Sequence, residues 1–122
     1  MNVGAGDVVD RLGIVLLKME RTEKKPSQEH KAYCDAFNAL EVKYPDFDWD
    51  LLLNLSYKVN GMVWDLESAL RKGQLDNDLV ETGKRAIMIR KINGIRVGIK
   101  NLINDLTGEG FMEVKHSDHI SQ

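Results

Sequence analysis

The stretch that decides the fold is WDLLLNLSYKVNGMVWDLESALRK at positions 49–72, followed across GQLDN at 73–77 by DLVETGKRAIMIRKINGIRVGIKNLINDL at 78–106. In its first half Leu52, Leu55, Val59, Met62, Leu66 and Ala69 succeed one another in alternating steps of three and four. Met88, Ile92, Ile95, Ile99, Leu102 and Leu106 do the same in the second. That alternation is the seam of helices packed at the shallow, left-handed angle of bundles and coiled coils. Asp48 and Asp78 stand where N-caps are wanted, and Gly73 where a helix stops. The connection is too short for a crossover, so the two helices fold back antiparallel, with positions whose numbers add to about 151 side by side.

Toward the N-terminus, a first helix is expected from about Asp7, as N-cap, to about Arg21, with Val8, Leu12, Val15, Leu16 and Met19 on one face and Gly13 interrupting it. Pro26 ends the lysine-rich break after it, and Ser27 can cap a second helix over about Gln28–Tyr44. There Tyr33, Phe37, Leu40 and Tyr44 line one face and Pro45 stops the helix. No alternating strand precedes the last dozen residues, and 110–122 read as an extended or disordered arm. The expectation is an all-α, up-down bundle of about four helices in a single domain, 1–122, built on a long antiparallel hairpin whose seam the first two helices cover.

Composition narrows the function. With 122 residues, 43% of them hydrophobic, the chain can bury a core without staples. A net charge of −2 gives no general attraction to phosphate backbones, so no nucleic-acid partner is expected. No run of eighteen uncharged apolar residues exists to cross a membrane. The single cysteine, Cys34, cannot form an internal disulfide, and the start lacks a secretory pattern, so the cytoplasm is the expected compartment.

No cofactor or metal is expected. Gly4-Ala5-Gly6 lacks the preceding strand of a dinucleotide fingerprint, and no Ser/His/Asp motif is present. His116 and His119 with Asp118 fall short of a four-ligand site. Among Asp65, Glu67, Asp78 and Glu81, only Asp78 and Glu81 have the spacing that would aim two carboxylates at one cation, and they sit at a helix start where acids favour the dipole anyway.

A polar strip is the one candidate ligand site. Trp64, Glu67 and Arg71 share a face of the third helix with Asn60, and Arg90, Asn93, Lys100 and Asn104 lie near one face of the fourth. Guanidinium forks, an ammonium and amides beside an indole are donors suited to a phosphate or carboxylate. The alternatives are a solvated face or a buried polar network that fixes helix register.

Five glycines fall inside predicted helices: Gly13, Gly61, Gly83, Gly94 and Gly98. Each costs about 1 kcal/mol relative to Ala, which something should offset. Gly83, Gly94 and Gly98 share a face, a candidate for close packing of another helix of the chain or of a second copy.

The run Trp64-Asp65-Leu66-Glu67, Arg71, Leu79-Val80-Glu81, Ile92-Asn93, Arg96, Lys100, Ile103-Asn104, Leu106, Gly108 and Glu113-Val114-Lys115 resembles a small bacterial all-helical family of unknown function. Asp10, Arg11, Ile14, Lys18, Glu20 and Arg21 partly match that family's opening helix. Its members are often encoded near polysaccharide and glycosyltransferase genes, which implies a context and not an activity. The resemblance ties Trp64, Glu67, Arg71, Asn93, Arg96, Lys100 and Asn104 into one set. The chain departs from the pattern at Ser68 and Ala69, where the family has acids, and at Gly94, where it has Asp.

These readings favour a non-catalytic helical interaction or assembly module, expected to form a homo-oligomer or to bind a protein partner. The alternative is a small enzyme or binding protein for a phosphorylated or carboxylated compound such as a nucleotide or nucleotide sugar, using Arg90, Arg96 and Lys100 with Trp64 and Glu67. A third reading is a component of a phage or other multi-protein particle.

Overall fold

A computed structural model describes residues 4–110, and the expected C-terminal arm with its two histidines lies outside them. The protein is an all-helical bundle of α1 (Ala5–Arg21), α2 (Ser27–Lys43), α3 (Trp49–Arg71) and α4 (Leu79–Thr107). The boundaries follow local chemistry. Asp48 accepts from the Leu51 amide at 3.1 Å and Asp78 from the Glu81 amide at 2.9 Å, each satisfying a donor that the first helical turn leaves open. Gly108, at φ +69°, ends α4 in the left-handed conformation that glycine adopts without strain. The hairpin register falls where arithmetic put it: Arg85 donates to the Leu66 carbonyl at 3.4 Å.

The first helix departs from expectation in start and place. Gly4, not Asp7, is its N-cap, so Asp7 lies within the first turn. Nor do α1 and α2 lie side by side over the seam. Helix α1 is the hub, packed against α2, α3 and α4, while α2 packs on α1. Hence α1 is buried around most of its circumference, with Val9 and Leu17 in the core beside the expected Val8, Leu12 and Val15. Phe37, Leu40 and Trp49 close the α2 side of that core, Trp49 donating its indole N–H to the Tyr44 carbonyl at 2.7 Å. Tyr44 and Lys43 hold Glu109, tying the end of α2 to the end of α4.

The hairpin seam is covered on one edge only. Leu52 and Ile103 are buried in the core with the α1 side chains, and Ile92 is buried as well. Leu55, Met62, Met88, Ile95, Leu102 and Leu106, the other edge of the two heptad rows, remain exposed.

The glycines divide differently from the sequence reading. Close packing falls at Gly6, where a Cβ would sit 2.4 Å from the Lys100 carbonyl oxygen, and at Gly13, against the Ser56 hydroxyl. At Gly83 and Gly98 a Cβ would meet nothing within 4 Å, so neither of the first two helices packs there.

Candidate functional site

Three of the candidate residues, Arg96, Lys100 and Asn104, rise one turn apart along α4, and antiparallel α1 meets each in turn. Arg96 donates from Nε to Asp10 Oδ1 at 2.8 Å and from Nη2 to Asp10 Oδ2 at 2.7 Å, a two-pronged pair. Asn60 of α3 donates to the same carboxylate at 3.0 Å and to the Ser56 carbonyl at 3.0 Å. One turn along, Lys100 Nζ lies 3.0 Å from Asp7 Oδ1, its side chain 11% exposed. Beyond it, the Gly6 amide donates to Asn104 Oδ1 at 2.7 Å, satisfying another open first-turn donor of α1.

Burial would raise the Asp10 pKa. The Arg96 and Asn60 hydrogen bonds and the charges of Arg96 and Lys100 outweigh it and hold the carboxyl below its ordinary value. Asp10 is therefore an ionised anchor. The space lined by Gly6, Asp10, Ser56, Val59, Arg96 and Lys100 has no room for a water-sized molecule. The larger clefts lie elsewhere: about 390 Å³ beside Leu16, Leu53 and Tyr57, and about 260 Å³ beside Val8, Ala36 and Glu109.

The other candidates do not join this cluster. Arg71 places its guanidinium 5.3 Å from the centre of the Trp64 ring, a cation–π contact toward the hairpin loop. Glu67 and Asn93 are half-buried and Arg90 is exposed, outside the Asp10 cluster. Asp7, Asp10 and Ser56 complete the network, yet sequence reading did not single them out as site residues. The available signal was Asp10 itself, a lone acid among Val8, Val9, Leu12 and Gly13.

Other chemistry is sparse. Among the described residues no three His, Cys, Asp or Glu side chains gather as metal ligands. Cys34 Sγ lies 3.3 Å from His30 Nε2, but burial and then Asp35 push the thiol pKa up, the opposite of an activated nucleophile. No helix of the described residues is long and apolar enough to cross a membrane. Compared with known protein families, curated proteins and solved structures, the chain matches none.

Proposed function

We propose that the protein is a non-catalytic helical interaction module. One observation carries this reading: the cations best suited to receive a phosphate or carboxylate ligand are turned inward, where Arg96 grips Asp10 and Lys100 meets Asp7. An anionic ligand there would have to displace two carboxylates and part α1 from α4. The open edge of the heptad seam offers apolar surface of the kind that takes a protein partner. The single cysteine, which has no partner for an internal disulfide, supports a cytoplasmic setting.

The test is a thermal-shift panel of nucleotides, nucleotide sugars and divalent metals. No ligand should raise the midpoint, because mass-action stabilisation requires a site that binds the folded state. A concentration-dependent rise that Arg90→Ala abolishes, while the fold is kept, would overturn the reading in favour of a small-molecule binder.

A further inference from the structure

The outer face of the α3–α4 hairpin lies opposite α1, and six of its side chains, Leu51, Leu55, Met62, Met88, Ile95 and Leu102, are 41–55% exposed. In the antiparallel register Met62 neighbours Met88, Leu55 neighbours Ile95 and Leu51 neighbours Leu102, giving three apolar layers in one patch. At roughly half of each side chain's surface they present about 600 Å², the upper end of what a monomer leaves in one patch. With the stems of Lys84 and Lys91 beside them, the patch approaches the roughly 800 Å² that each partner contributes to a standard interface.

The order of residues along α4 says what fits this patch. About Ile95 the outer face is self-complementary when reversed. Met88 and Leu102 lie seven residues to either side, Lys91 lies four before and Gly98 three after, and Lys84 lies eleven before and Asp105 ten after. Laid antiparallel on its own copy, α4 sets Ile95 against Ile95 and each Met88 against a Leu102. Each Lys91 stem passes over a Gly98, where no side chain intrudes and nothing lies within 4 Å. Each Lys84, exposed, reaches an exposed Asp105. A parallel arrangement would stack Lys84 on Lys84 and Lys91 on Lys91.

We propose that this face binds a second copy of the chain, forming a closed two-fold dimer in which two α3–α4 hairpins make an intermolecular four-helix bundle centred on Ile95. The proposal rests on the interaction-module reading and names its partner.

Sedimentation equilibrium of the full chain, from about 1 to 100 µM, should show a dimer. Ile95→Lys should give a helical monomer, because more than half of that residue's surface faces outward in one copy and a lysine stem can cover what the isoleucine covered. Asp105→Lys and Lys84→Asp should each weaken the dimer about tenfold, since symmetry repeats the pair, and the double reversal should restore it. Should Ile95→Lys fail to fold, the charge reversals still decide. A monomer at 100 µM, a dimer indifferent to Ile95→Lys, or a double reversal that restores nothing would overturn the proposal. Each of these would leave the module reading standing, which falls only to a small-molecule shift.

Discussion

Arg96 and Asp10 meet edge to edge across eighty-six residues of sequence, and this pair fixes the register of α1 on α4. Asp10 is 4% exposed and Arg96 33% exposed on its side chain, so one charge is buried and the other retains some water. Burying a carboxylate is costly unless it is paired and its oxygens are satisfied, which Arg96 and Asn60 accomplish together.

Breaking the pair from one side should be worse than removing it whole. Asp10→Leu is expected to cost about 2–4 kcal/mol, discounted for the exposure of Arg96, and Arg96→Met at least as much because it leaves the buried carboxylate uncompensated. The double variant Asp10→Leu/Arg96→Met should recover most of the loss. Urea unfolding of the four proteins checks this as a double-mutant cycle, and simple additivity would refute the coupling.

Acid should weaken the fold through the same carboxyl. Its pKa is lowered in the folded state, so its contribution is fully present above the ordinary aspartate value and is lost as pH falls through the lower, folded one. Glu109 is lowered too, chiefly by the Tyr44 hydroxyl, and acts with the same sign. The urea midpoint should therefore fall below about pH 4, and Asp10→Asn should flatten, but not abolish, that fall.

Gly6→Ala and Gly83→Ala should have opposite signs. The new methyl at Gly6 would be driven into the Lys100 carbonyl, backbone that cannot swing aside, at a cost of about 2 kcal/mol or more. At Gly83 it meets nothing, and the gain in helix propensity should stabilise by about 0.5–1 kcal/mol. Thermal midpoints of the two variants distinguish these outcomes.

The cations of α4 should separate by position. Lys100→Ala removes a nearly buried partner of Asp7 and should destabilise by about 1–3 kcal/mol, whereas Arg90→Ala, on the surface, should stay within about 0.5 kcal/mol. Equal effects would mean that Lys100 is not part of the anchor.

Much of the fold was legible because its signals are local. Asp48 and Asp78 mark helix starts through bonds that span a few residues, and the heptad rows with the short loop between them state that α3 and α4 pair antiparallel. The candidate site was legible only in part. Periodicity puts Lys100 and Asn104 on one face of α4 and the family resemblance adds Arg96, but both are silent on what faces them, and the partners, Asp10, Asp7 and the Gly6 amide, lie at the opposite end of the chain. Trp64 and Arg71 shared the strip on paper and form their own contact nearer the hairpin loop. Glycine misled for the same reason: cost in a helix is local, whereas the compensating close approach, real at Gly6, is a property of another helix's backbone.

Local signals in the sequence, then, settle four helices, the N-caps of α3 and α4 and the antiparallel pairing of those two, since hydrogen-bonded caps and apolar spacing act over one or two turns. Only the tertiary structure decided that α1 is the central helix, that the polar set of α4 is spent on anchoring it, and that one edge of the seam is left open. Those outcomes depend on which surfaces compete for burial: Gly6 lets α1 approach the α4 backbone and Gly13 lets it approach α3, while Asp10 between them satisfies Arg96.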